Sequence, residues 1–276
     1  MKVYLGPAGV PTICKERSTI AGIRTVSELG LNAMEVEFVR GVKMSLEAAK
    51  EAGENAKELN VKLSVHAPYF INLCSPDNKK VENSKKMILD SAERAEAMGA
   101  EVVVFHPGFY GKLSPLEALE KVKEGCSDLN DRMRSLGIRK VKLGLETTGK
   151  QSTFGSLDEI IEICKKVKNC VPVIDFAHIY ARQGGIIDYS KIFDSLKPLK
   201  LKSLHTHFTC VEFSSAGIGR GNERYHLELK AKKPDFEILA KEIIKRDFEI
   251  TIISESPVLE QDSLKMKEII EKLLSK

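Results

Sequence analysis

Tryptophan is absent from the 276 residues, and no apolar run approaches the ~20 residues of a membrane-spanning helix. A membrane role is therefore not expected. The six cysteines, at 14, 74, 126, 164, 170 and 210, never fall into Cys-x-x-Cys spacing. A chain of this length does not need disulfides, so reduced, buried, structural thiols in a cytoplasmic protein are the expectation. The stretch Met1-Lys-Val-Tyr-Leu-Gly-Pro7 reads as a short strand entering a turn, without the apolar segment of a secretory signal. Gly6-Pro-Ala-Gly9 is not a Gly-x-Gly-x-x-Gly loop, and Pro7 and Pro11 argue against a helix starting there. That weighs against an open, doubly wound nucleotide-binding sheet. Charge of one sign is also slight: the net charge is +4, which permits a nucleic-acid partner without demanding one.

What is present is regular alternation. With 42% apolar and 30% charged residues, the chain reads as soluble and globular. Strands are expected at 2–5, 33–38, 61–66, 101–106, 140–146, 171–175, 201–207 and 249–255. Helices are expected at 18–30, 44–59, 79–98, 114–136, 156–168, 188–197, 234–246 and 260–275. Gly30 and Gly99 sit where helices end, and Ser156 with Glu159 forms a capping box. Continuously apolar strands such as Val102-Val-Val-Phe105 suit a parallel sheet buried on both faces. Eight strand–helix units without a linker predict an α/β fold, a (β/α)8 TIM barrel forming one domain over residues 1–276.

The histidines carry the chemistry. His66 and His106 close apolar runs, as do the carboxylates Glu146, Asp175 and Glu255. Imidazoles and carboxylates converging from several strand ends can hold zinc or manganese, and the carboxyl ends of the strands are where such a barrel builds its site. His205 and His207 lie on one strand face, about 6.6 Å apart at ~3.3 Å per residue. His207, nearer the strand's end, is the expected ligand, and His205 a buried neighbour.

Six segments resemble, in order, the signatures of endonuclease IV: His66-Ala-Pro-Tyr-Phe-Ile-Asn72, Phe105-His-Pro-Gly108, Leu145-Glu-Thr-Thr-Gly149, Ile174-Asp-Phe-Ala-His178, His207-Phe-Thr209 and Ser254-Glu-Ser-Pro257. The likeness runs from about residue 61 to 257, within the broader class of xylose isomerase-like barrels. It implies a zinc enzyme that cuts DNA at abasic sites with about three ions; manganese is the other candidate. His66 and His106 would hold the first ion, and Glu146, the implied catalytic carboxylate, would bridge it to a second. Asp175, His207 and Glu255 would complete the second site, and His178 would serve the third. The family presents Asp-x-His to that third ion, whereas this chain offers Glu223-Arg-Tyr-His226 with one residue more between the ligands. No histidine precedes His66, where the family has Gly-x-His.

Tyr69 is expected beside the DNA, and Arg40, Arg220 and Arg224 are candidate phosphate contacts. Glu223 and His226 are expected in a loop, and Leu227–Lys233 as solvated surface. A monomer is expected. Two rival readings remain open. One is a single-ion sugar isomerase or epimerase of the same barrel class, served by Glu146, Asp175, His207 and Glu255. The other is a non-catalytic barrel that binds DNA or metal.

Overall fold

The computed structural model describes residues 2–246 and 249–275. The chain begins β1 (Val3–Pro7), α1 (Thr19–Glu28), β2 (Ala33–Glu37), α2 (Leu46–Glu58), β3 (Lys62–His66), α3 (Asn78–Met98), β4 (Val102–Phe105) and β5 (Gly108–Phe109). It continues with α4 (Pro115–Ser135), β6 (Lys142–Glu146), β7 (Thr153–Phe154), α5 (Leu157–Lys166), β8 (Cys170–Asp175), α6 (Phe176–Arg182) and α7 (Tyr189–Leu196). Last come β9 (Ser203–Phe208), β10 (Cys210–Ser215), β11 (Gly221–Leu227), α8 (Phe236–Arg246), β12 (Glu249–Ser254) and α9 (Glu260–Leu274).

Eight strands form one sheet in the order β1-β12-β9-β8-β6-β4-β3-β2. The first strand pairs with the last, in parallel, from Val3↔Ile250 to Pro7↔Ser254. That cyclic succession, with a helix after each strand, is the (β/α)8 arrangement. Each expected strand and helix is present, with ends shifted by a residue or two. Gly30 and Gly99 adopt φ of 70° and 71°, and the Ser156–Glu159 capping box forms. No helix among the described residues is long and apolar enough to cross a membrane.

The chain divides into two compact units. One comprises Glu35–Thr148 and Ser152–Val173. Its strands are buried on both faces: Val65, Val103, Val104, Phe105, Leu143 and Leu145 have no exposed surface. Val102, Val104 and Val173 pack as a cluster, and Gly144 lies among such side chains. A Cβ there would come 2.5 Å from Val102 Cγ2 and 2.9 Å from Val173 Cγ2, so the close strand packing leaves no room for a side chain.

The other unit comprises Met1–Met34, Gly149–Gln151 and Ile174–Lys276. Its core includes Ile250, Ile252 and Ile253 on β12, and Phe208 stacked edge-on with Phe236 at 4.9 Å. Two of its elements depart from expectation. Phe176–Arg182 is helical, because Asp175 caps it by accepting the His178 N–H at 2.6 Å. The glycine-rich segment expected as a loop is a hairpin of β10 and β11, so Glu223 and His226 lie on a strand. Nor is Leu227–Lys233 all solvated: Leu229 is buried, and its N–H donates to the buried Asp262 carboxylate at 2.7 Å.

Candidate metal centres

The parallel register of β3, β4 and β6 gathers the first cluster. Val65 pairs with Val103 and Phe105 with Leu145, so His106 and Glu146 leave neighbouring strand ends side by side. His66 Nε2 lies 3.1 Å from Glu146 Oε2, and His106 Nε2 lies 2.9 Å from the same oxygen. His66 Nδ1 faces the Ala67 carbonyl at 2.7 Å. In the neutral ring, donation to that carbonyl turns the Nε2 lone pair toward the cluster. The Tyr69 ring stands 5.6 Å from the His66 ring and is half exposed. Arg40 is exposed in the turn after β2.

Glu35 and Glu37 are not among the expected site residues, although carboxylates at alternate positions of the apolar run Ala33–Phe38 are a signal for them. Glu35 is fully buried and accepts from Ser64 Oγ at 2.7 Å. Burial alone would lower the His66 pKa; the Glu146 hydrogen bond and the charges of Glu37, Glu146 and Glu35 outweigh it and raise it to about 10.

The second gathering involves α6, β9, β11 and the end of β12. His207 is fully buried with Nδ1 3.1 Å from Glu255 Oε1, and its ring meets His205 edge-on at 5.5 Å. The Asp175 carboxylate also reaches His178 Nδ1, at 3.6 Å. His178 Nε2 lies 3.3 Å from Glu223 Oε2, and His226 Nε2 lies 3.5 Å from Glu223 Oε1. His226 Nδ1 donates to the Glu255 carbonyl at 2.9 Å, which again aims Nε2 at the cluster.

Glu223 and His226 should not share a face. Residues three apart on a regular strand point to opposite sides. The pairing explains why they do: Glu212 faces Tyr225 but Phe213 faces Glu223, so Arg224 has no counterpart. It is a β-bulge, which absorbs one residue and restores a spacing of two. Both Arg224 and Tyr225 are consequently exposed. Arg220 does not pair with Glu223; its Nε and Nη2 donate to Gln151 Oε1 at 3.1 and 3.0 Å.

Burial would raise the Glu223 pKa, yet the His226 hydrogen bond and the charges of His178, His226 and Lys150 bring it to about 2. Burial likewise lowers that of His226, but Glu223 and Glu255 raise it to about 9. Ligation needs neutral rings. With folded values of about 10 and 9, His66 and His226 are protonated near neutral pH before metal uptake. Uptake by chelator-stripped protein is thus expected to release one proton from each, seen by calorimetry in buffers of different ionisation enthalpy. Affinity should fall as pH drops. The sign for stability without metal is opposite: pairs with raised histidine pKa values stabilise fully below the ordinary 6.5 and lose that contribution as pH rises through about 9 to 10.

Both clusters suit a metal. In a tetrahedral zinc site with bonds of ~2.0–2.1 Å, ligand atoms stand ~3.4 Å apart. His178 Nε2 and His226 Nε2 stand 3.3 and 3.5 Å from different oxygens of Glu223, pairwise spacings of that order, while one ligand atom from each of His66, His106 and Glu146, and from each of His178, His226 and Glu255, lie within 4.8 Å of one another. Gly149 makes room for one of them. A Cβ there would lie 2.6 Å from both Glu223 Cβ and Oε2 and 3.1 Å from His178 Cδ2. Gly149→Ala is therefore expected to displace Glu223, lower stability by about 1–3 kcal/mol and cost one bound ion in elemental analysis.

Residues 23–274 match the profile of the xylose isomerase-like TIM barrel. The chain belongs to that family. An uncharacterized protein of Methanocaldococcus jannaschii is 34% identical to this xylose isomerase-like barrel over 270 residues, covering 95% of this chain and 94% of its own. A protein of Thermoplasma volcanium named probable endonuclease 4 is 30% identical over 203 residues, 71% of this chain and 69% of its own. Among solved structures, endonuclease IV from Thermus thermophilus aligns with TM-score 0.70 at 21% identity, covering 98% of this chain and 99% of that one. D-psicose 3-epimerase aligns with TM-score 0.65 at 15% identity, covering 100% and 97%. Such likeness to solved structures establishes the fold and leaves the reaction to the site.

Proposed function

We propose that this xylose isomerase-like barrel is a zinc-dependent hydrolase of the endonuclease IV type, cutting DNA 5′ to abasic sites. The observation that carries this reading is the number of histidines joined to carboxylates. His66 and His106 meet on Glu146, while His178 and His226 meet on Glu223. A single-ion epimerase of the same barrel class leaves these four imidazoles without a task.

On this reading His66, His106 and Glu146 hold one ion, Asp175, His207 and Glu255 a second, and His178, Glu223 and His226 a third. Bound divalent ions supply Lewis-acid charge and acidify a water enough to attack a phosphodiester at neutral pH. The chain supplies the rest. Glu146, without exposed surface, neutralises positive charge where water cannot screen it. Exposed Tyr69 and Phe70 offer an aromatic face to an extruded nucleotide. Arg40, Arg220 and Arg224 contact phosphates and set register rather than sequence preference. The 3′ oxygen leaves, giving a 3′ hydroxyl and a 5′ deoxyribose phosphate. The acting species is a monomer.

Metal counting combined with turnover on two substrates tests the reading. About three zinc ions per chain and chelator-sensitive nicking of an abasic duplex are expected, with no epimerisation of a ketohexose. One ion together with ketohexose turnover would replace this reading with the epimerase.

A further inference from the structure

The three residues Gly149-Lys-Gln151 make an unusually complete set of hydrogen bonds. Gln151 Nε2 donates to the Arg182 carbonyl at 2.7 Å and to the Gly221 carbonyl at 3.0 Å. Its Oε1 accepts from Arg220 Nε and Nη2 at 3.1 and 3.0 Å. A Gln side chain has two donor hydrogens and two acceptor lone pairs, so every one is engaged. The Gln151 backbone N–H donates to Asn222 Oδ1 at 2.8 Å, and Gly149 accepts the Glu223 N–H at 3.0 Å.

The partners explain the purpose. Arg182 ends α6, the seven-residue helix that carries His178. Gly221 begins β11, the strand that carries Glu223 and His226. One amide thus ties the far end of the His178 helix to the start of the Glu223 strand. Gly149 presses against Glu223 from the same segment, through the carbonyl bond just given and the close approach of its bare Cα. The bulge at Arg224 puts Glu223 and His226 on one face; it does not fix how far that face stands from α6. That distance decides whether one carboxylate spans both imidazoles.

We propose that Gln151 is a positioning residue for the His178–Glu223–His226 ion site: it clamps α6 to β11, and Arg220 holds its amide in the donating orientation. This assigns Arg220 a second task besides phosphate contact. The inference rests on the proposed third ion, and nothing in it requires Gln151 to touch metal or substrate.

Ion release to a chromophoric chelator tests it, in the full-length chain loaded with zinc, read beside total ion content. His226→Ala is expected to lack one ion. Gln151→Ala is expected to release one ion about tenfold or more faster than the parent, the range seen when groups supporting a ligand are removed, while its other ions leave at the parent rate. Gln151→Glu can still accept from Arg220 but cannot donate to either carbonyl, so it is expected to behave like Gln151→Ala; a pure volume effect would leave it parent-like. Arg220→Ala removes an exposed side chain and is expected to quicken release of the same ion severalfold. It decides the matter if the Gln151 variants do not fold. Parent-like release from the folded variants, or equal acceleration of all ions, would overturn the role of Gln151 while His226→Ala still loses its ion. A full ion complement in His226→Ala would instead overturn the third site itself, and this inference with it.

Discussion

Glu146→Gln is expected to lower cleavage of an abasic duplex by roughly a thousandfold, as loss of a preorganised charge at a reacting phosphate does. His106→Ala is expected to cost less. Both histidines of the first cluster converge on one oxygen of Glu146, at 3.1 and 2.9 Å, and that carboxylate has no exposed surface. Gln keeps the shape but removes a full negative charge from a place where no water replaces it. The His106 side chain, by contrast, is 33% exposed, so a water can take the position its imidazole vacates. The substitution has a second signature without metal. The hydrogen bond that His66 donates to Glu146 is the largest influence raising the His66 pKa against burial, so in Glu146→Gln that pKa should fall, visible by NMR titration. Near-parent cleavage with full metal content would show that Glu146 is not the central carboxylate.

Glu223→Ala and His226→Ala are each expected to remove one zinc and leave the rest, with cleavage falling roughly a hundredfold or more. Glu223 gives one oxygen to each histidine, at 3.3 and 3.5 Å, so its loss leaves two imidazoles without the charge between them. DNA affinity and its salt dependence should change little, because phosphate contacts dominate both. The readouts are elemental analysis, single-turnover nicking and a salt titration of binding. Unchanged ion content in both variants would reduce Glu223 to an ordinary partner of two histidines.

The strands and the imidazoles and carboxylates that close them were legible because parallel strands buried on both faces leave continuous apolar runs, as at Val102–Phe105, and the residue closing such a run lies at the sheet's edge. Helix ends were legible where a single residue fixes backbone geometry, as Gly99 does. Three features were not. The short helix carrying His178 depends on a cap by Asp175, whose side chain also reads as a ligand. The face shared by Glu223 and His226 depends on a bulge at Arg224, set by pairing with β10 rather than by local pattern; an odd spacing read on a regular strand gives the wrong side. Gln151 gave no signal, since its side chain's partners are backbone groups and Arg220, 31 to 70 positions away in sequence.

Strand scission by the zinc-loaded protein on a duplex with one abasic site, beside the same duplex intact, tests the proposed function most directly. The proposed function predicts a single nick 5′ to the lesion leaving a 3′ hydroxyl, abolished by chelation, restored by zinc and absent from the intact duplex. A protein holding its full complement of ions that leaves the abasic strand uncut would contradict it.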